Sequence, residues 1–159
     1  MEVQLRRMLP EDVDEVIDVH RKSIYGLCKE FYTQEQMEIW TSMFNTKIFN
    51  EGIKNSNNIG IVATQDNRIV GYGFFNLEDR EIKGMYLIPE VIKKGVGQMI
   101  LTRLELIAKE HNLDKLVLNS TLNAVVFYEK CGYHKIRDEI FELSESCKLP
   151  CVYMLKRLA

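Results

Sequence analysis

Met85-Tyr86-Leu87-Ile88-Pro89-Glu90-Val91-Ile92-Lys93-Lys94-Gly95-Val96-Gly97-Gln98 is the stretch whose reading decides the fold. Residues 82–88 are a β-rich run, and Pro89 ends it because proline has no N–H to give a strand ladder. Lys93-Lys94-Gly95-Val96-Gly97 then leads into apolar residues at helical spacing, Ile100, Leu104, Ile107 and Ala108, with an end near His111-Asn112. Two glycines one residue apart at a strand-to-helix junction let the backbone turn tightly. Consecutive N–H groups are then exposed at a helix N-terminus, where they converge on an anion. A phosphate is the natural ligand, and Lys93 and Lys94 add charge of the right sign. For a lone G-x-G, a turn chosen only for φ and close packing is the plain alternative.

Upstream the period changes to two. Residues 59–64, 69–75 and 82–88, separated by Gln65-Asp66-Asn67-Arg68 and Leu77-Glu78-Asp79-Arg80, imply three consecutive antiparallel strands. Downstream, Leu116-Val117-Leu118 is a short buried-type strand. Ser120 or Thr121 is expected to cap a helix striped by Ala124, Phe127, Tyr128 and Cys131, with Gly132 just past its end. Residues 133–141 and 151–157 are expected to close the sheet. The connection from residue 82 to 118 is too long for a hairpin and implies parallel strands with a right-handed crossover. Near the start, Val3 and Leu5 alternate in a short strand. Pro10 with Glu11 and Asp12 then opens a helix striped by Val13, Val16, Ile17, His20 and Ile24. Residues 25–32 are aromatic and irregular, and Thr33 with Gln36 makes a capping box opening a shorter helix through Met37, Trp40 and Phe44.

The chain has 159 residues, 46% hydrophobic and 28% charged, which suits one globular domain spanning residues 1–159. Lys and Arg number 21 against 23 Asp and Glu, a net charge of -2, which argues against a dedicated nucleic-acid binder. No apolar run reaches the roughly 18 residues of a membrane helix, and Met-Glu-Val-Gln-Leu-Arg-Arg has no apolar signal core, so no membrane association and a cytoplasmic location are expected. Cys28, Cys131, Cys147 and Cys151 read as free thiols. Cys147 and Cys151, without a neighbouring His or further Cys, make an incomplete metal site, and no metal is expected. Other phosphate templates fit worse. There is no G-x-x-x-x-G-K-[ST], and G-x-G-x-x-G fails at Ile100 and again from Gly71 and Gly73. A dinucleotide-binding unit would also begin with its glycine turn, not after three antiparallel strands.

Met85-Tyr86-Leu87 followed by Pro89-Glu90 and Gly95-Val96-Gly97 resembles the acetyl-CoA signature of the GNAT superfamily of N-acetyltransferases, with Ile92 where Arg or Gln is usual. Ala124-Val125-Val126-Phe127-Tyr128-Glu129-Lys130-Cys131-Gly132-Tyr133 is similar to that family's second motif. Asn often stands three residues before the Ala; here that position is Thr121, with Asn123 two residues later. The order of elements matches the family over essentially the whole chain. The resemblance implies an α/β fold of GNAT type, with a central mixed, mostly antiparallel twisted sheet of about seven strands and helices on both faces.

The same resemblance implies that the strands at 82–88 and 115–119 splay apart, with pantetheine between them bonding to backbone near Met85 and Leu87. Pyrophosphate would sit on amides across Ile92, Lys93, Lys94, Gly95, Val96, Gly97 and Gln98, and Asn123 would be a further coenzyme contact, with Thr121 the alternative. Tyr128 would approach the coenzyme sulfur, where a phenol with pKa near 10 is still protonated and can act as general acid; a packed core tyrosine is the plainer reading. For the base, Glu81, His20 and a water chain are candidates, and none is assigned. Lys83 occupies the strand where many relatives carry an acidic residue, Glu81 reads as an exposed strand-end charge and His20 as a core-edge histidine with its hydrogen bonds satisfied. His111 and His134 read as surface or strand positions. Residues 25–40, with Tyr25, Phe31, Tyr32 and Trp40, are expected to hold acceptor specificity, Trp40 being core and the loop aromatics divided between packing and contact. The implied activity is acetyl transfer from acetyl-CoA to a primary amine, small or protein-borne, in a ternary complex. A non-catalytic acyl-CoA-binding or regulatory module and a generic nucleotide-phosphate-binding domain are the rivals. Oligomeric state is open, a homodimer included.

Overall fold

The computed structural model describes residues 2–159. Seven described strands form one sheet: β1 (Gln4–Arg7), β2 (Asn58–Gln65), β3 (Arg68–Asn76), β4 (Glu81–Leu87), β5 (Lys115–Thr121), β6 (His134–Ser144) and β7 (Cys147–Arg157), in the order β1-β2-β3-β4-β5-β7-β6. The helices are α1 (Val13–Leu27), α2 (Gln34–Met43), α3 (Thr46–Lys54), α4 (Val96–Glu110) and α5 (Val125–Lys130). Asp66 and Asn67, at φ 54° and 62°, make the two-residue turn that folds β2 onto β3. Short polar side chains tolerate that left-handed backbone, and the turn twist matches the strands.

Every joint between described strands is antiparallel except β4 to β5, which is parallel. That joint consists of two residue pairs, Glu81 with Val117 and Ile82 with Leu118. Past them the strands part. The register of β4 on β3 slips in the same place, from Phe74 opposite Gly84 to Phe75 opposite Ile82, so Lys83 is the extra residue of a bulge. A bulge bends its strand, here at the point where β4 leaves β5.

Alternate residues of β3 face opposite ways. Gly71 and Gly73 face α4 so closely that a Cβ on Gly73 would lie 2.5 Å from Ile100 and 2.9 Å from Leu104. These glycines are there for close packing. Tyr72, on the other face, packs against Phe49 of α3 and against Tyr86, which in turn touches His20 of α1. Helices therefore cover both faces, with α4 on one and α1 with α3 on the other.

The capping box at Thr33 and Gln36 forms as expected, with bonds of 3.1 and 2.8 Å. Pro10 opens a 3-10 turn through Asp12 before α1, which continues to Leu27 and takes in part of the stretch read as irregular. Asp12 accepts from the Leu9 N–H and holds Arg6 through two bonds, which keep its carboxyl below the usual range. Neither Ser120 nor Thr121 caps α5: the Ser120 hydroxyl donates to the Thr121 carbonyl at 2.7 Å, β5 runs on through Thr121, and a 3-10 turn (Leu122–Ala124) leads into the helix. Gly132 follows α5 at φ 96°. The sequence reading does not contain α3. It is short, is capped by the Asn45 side chain accepting from Ile48 N–H, and packs Phe49, with Ile53 one turn on, against the core.

Candidate active site

A cleft of about 710 Å³ lies where β4 and β5 part. Met85, Tyr86 and Leu87 of β4 form one wall, and Thr121, Asn123 and the α5 residues Phe127 and Tyr128 form the other. Ser23 and Leu27 of α1, with Cys28 just past that helix, and Gly97 and Gln98 of α4 also line it.

The entry to α4 builds an anion-binding surface from backbone. Proline at 89 starts a 3-10 turn to Val91, and Lys93 and Gly95 then both adopt positive φ, 60° and 85°. No atom of the described residues lies within 4 Å of a Cβ built on Gly95, so glycine is required there for conformation and not for space. The first N–H to find a helical acceptor is that of Met99, which donates to Gly95 O at 3.0 Å. The amides of Val96, Gly97 and Gln98, in the first turn, have no acceptor within the helix, and the positive end of its dipole lies with them.

Of the residues singled out from sequence, Met85, Leu87, Ile92, Lys93, Gly95, Gly97, Gln98, Asn123 and Tyr128 line this cleft. Lys94 is exposed beside it, and the Val96 side chain is buried in the core, so these two bear on the cleft through charge and backbone. Thr121 and Asn123 both line it. The Asn123 carbonyl oxygen accepts from the Cys28 thiol at 3.4 Å, which leaves the amide N–H groups as that side chain's donors. Cys28 gave no signal in the sequence beyond being a free thiol. Tyr128 is 6% exposed, its ring edge-on to Phe127 and Tyr133 at 5.2 and 5.7 Å. Burial, then the nearby Cys131, pushes its phenol well above the ordinary tyrosine range, so it is protonated at any physiological pH.

Neither His20 nor Glu81, the side chains considered for a base, lines the cleft. His20 is buried against Phe44 and Tyr86, both ring centroids 4.6 Å away, and burial lowers its pKa from 6.5 to about 3. Its Nε2 has no hydrogen-bond partner among the described residues. Glu81 sits in the two-pair joint and meets Lys83 at 3.4 Å, while Lys83 also reaches Asp79 at 2.9 Å.

The aromatics of residues 25–40 divide. Phe31 is 49% exposed, and Trp40 is core, as its spacing suggested. Tyr32 is buried: its hydroxyl donates to Pro150 O at 2.7 Å and accepts from the Leu122 N–H at 3.0 Å. It pins the loop after α1 to β7 and to the turn that launches α5. Tyr25 shares a hydrogen bond of 3.2 Å with Thr41. Cys151 donates to Glu139 O, and no group of three or more His, Cys, Asp or Glu side chains gathers among the described residues. No helix among them is long and apolar enough to cross a membrane.

Comparison with known proteins places this geometry. The family model described as an acetyltransferase (GNAT) domain matches residues 28–147. The spermidine N(1)-acetyltransferase of Thermoplasma acidophilum is 27% identical over 148 residues, spanning 87% of this chain and 91% of that protein. A crystal structure of a GCN5-related N-acetyltransferase from Rhodopseudomonas palustris superposes with a TM-score of 0.89 at 24% identity, covering 99% of this chain and 97% of that one. The PaiA N-acetyltransferase of T. acidophilum, solved in complex with coenzyme A, gives 0.84 at 22% identity and covers 99% of both chains. The structural likenesses establish the fold, and the family match runs from the end of α1 to the start of β7, across both walls of the cleft. On that match the chain belongs to the GNAT acetyltransferase family.

Proposed function

We propose that the protein transfers the acetyl group of acetyl-CoA to a primary amine by direct attack, with both substrates bound together. One observation carries the reading: the amides opening α4 and the phenol of Tyr128 line a single cleft, at the place where β4 and β5 part. Two parts of that lining suit two parts of the coenzyme. The amides of Val96, Gly97 and Gln98 suit the pyrophosphate, with Lys93 and Lys94 adding charge. Past Ile82 the β5-facing edge of β4 has no described strand paired to it, so the peptide groups at Met85 and Leu87 are available to the amides of pantetheine. Ile92 contributes backbone only, and Asn123 offers its amide N–H groups.

The amine attacks in its neutral form, and an alkylammonium with pKa near 10.4 must first release a proton to solvent. As the C–N bond forms and the C–S bond breaks, Tyr128 gives its phenolic proton to the departing sulfur. The nitrogen loses its second proton to solvent, and the tyrosinate recovers one from the same source. The raised phenol pKa keeps the proton on Tyr128 at every working pH but makes it a weak acid, so the step relies on the charge building on the sulfur beside it.

The relative's name makes spermidine the first acceptor to try. The test is a panel of spermidine, spermine, a monoamine, amino acids and a peptide with a free N-terminus, each assayed by release of the coenzyme thiol. Release with a primary amine and none with a tertiary-amine control is the expected result. Tight acetyl-CoA binding without turnover on any acceptor would instead make the chain a binding module on an acetyltransferase fold.

A further inference from the structure

We infer that Lys156, Glu105 and Tyr133 form a positioning clamp that sets where the Tyr128 hydroxyl stands in the cleft, an inference that rests on the acid role proposed for Tyr128. The helix that carries Tyr128, α5, has six residues. A single turn and a half has little stability of its own, so its place is decided by what holds its ends. The N-terminal end is fixed by Tyr32, which binds Leu122 N–H.

The C-terminal end is held by three side chains, from β7, from α4 and from the link between α5 and β6. Lys156 of β7 donates to the Cys131 carbonyl at 2.8 Å, placing a cation on the negative end of the helix. The same ammonium meets both carboxylate oxygens of Glu105 of α4, at 3.0 and 3.2 Å. Tyr133, 1% exposed, donates its hydroxyl to Glu105 at 2.8 Å. Its backbone N–H returns to the Tyr128 carbonyl at 3.0 Å, and its ring stands edge-on to that of Tyr128. The Lys156 stem lies so close to Gly132 that a Cβ there would come within 3.2 Å of its Cε.

Stability alone does not call for this arrangement. The Glu105 side chain is 13% exposed and that of Lys156 27%, and an ion pair so far removed from water gives back in desolvation much of what it gains. What it supplies is a unique geometry. Because Glu105 belongs to the helix whose opening amides suit the pyrophosphate, the clamp fixes the end of α5 relative to the other end of the coenzyme site. A small displacement of a reacting group can cost orders of magnitude in rate.

The experiment is a mutant cycle: Tyr133→Phe and Lys156→Met, each alone and combined with Tyr128→Phe, measuring kcat, KM for acetyl-CoA and thermal melting. Lys156→Arg serves as the conservative variant. In the wild-type background Tyr133→Phe and Lys156→Met are expected to lower kcat about tenfold and leave the acetyl-CoA KM little changed, while Lys156→Arg keeps most of the rate. Combined with Tyr128→Phe, the same changes are expected to have no further effect, since the hydroxyl they position is gone. An equal loss in both backgrounds, or no loss from Tyr133→Phe, overturns the clamp and leaves the acid role standing. A wild-type kcat for Tyr128→Phe overturns the acid role and the clamp with it. Should Lys156→Met not fold, Tyr133→Phe decides the matter by itself, because it removes one hydroxyl and keeps the ring.

Discussion

His20 shows how far a single residue can depart from its sequence reading while staying in its expected place. Its position on the apolar stripe of α1 puts it in the core, as the structure has it; what the stripe cannot show is that Nε2 goes unpaired among aromatic rings. An unpaired buried nitrogen costs about 1–3 kcal/mol. The folded imidazole stays neutral down to about pH 3, whereas an unfolded one takes up a proton below about 6.5. Between those values the unfolded state binds more protons, so stability falls as pH drops, by up to about 1.4 kcal/mol per pH unit. His20→Leu removes both effects. Urea unfolding is expected to show equal or greater stability at pH 7 and a flatter loss between pH 6.5 and 4; an acid slope as steep as wild type would assign that limb to other groups. Tyr32 departs further. Counted from sequence among residues open to an acceptor, it is instead a two-bond pin, because hydrogen bonds to Pro150 and Leu122, more than 80 residues away in the chain, leave no local trace.

At the scale of the element, the N-terminus of α4 makes the sharpest claim. A side chain at Gly97 would point its Cβ at Phe127, 3.1 Å away, and at Leu87, 3.3 Å away, so any substitution crowds the cleft wall. Comparing Gly97→Asn with Gly97→Asp separates crowding from charge. Both are expected to weaken acetyl-CoA binding, the aspartate by about tenfold more because it sets a negative charge beside amides that suit an anion. Equal affinities for the two by calorimetry would place the pyrophosphate elsewhere. This turn was legible because glycine and proline act locally, and the same holds for the capping box at Thr33 and for the three hairpin-linked strands. The helix α3 was not read, although Phe49 and Ile53, four residues apart, give it an apolar face, because nine residues hold only one such pair. Nor was the entry to α5, where a hydroxyl expected to cap a helix instead lies buried on β5 and bonds to the next carbonyl. The parting of β4 and β5 came from family resemblance alone. It depends on a bulge at Lys83 and on a joint of two residue pairs, and neither has a periodic signature.

Over the whole molecule, a sheet antiparallel at its other joints is interrupted once, near its middle, by a parallel joint too short to close, and the cleft is that interruption. Two cysteines line it. Cys28 and Cys131 are the groups through which an acetyl-enzyme could form, since a thiolate attacks thioesters readily. Burial raises the Cys28 thiol to about 12, and burial and then Glu105 raise that of Cys131, so neither supplies thiolate at neutral pH. Raised thiols accord with the proposed route, in which the acetyl group passes directly from coenzyme to amine while both are bound. Initial rates measured with acetyl-CoA and the best acceptor varied together test this most directly. Intersecting double-reciprocal lines, with no acetyl group found on the protein after incubation with acetyl-CoA alone, are the expected result; parallel lines together with an acetylated Cys28 or Cys131 would contradict it.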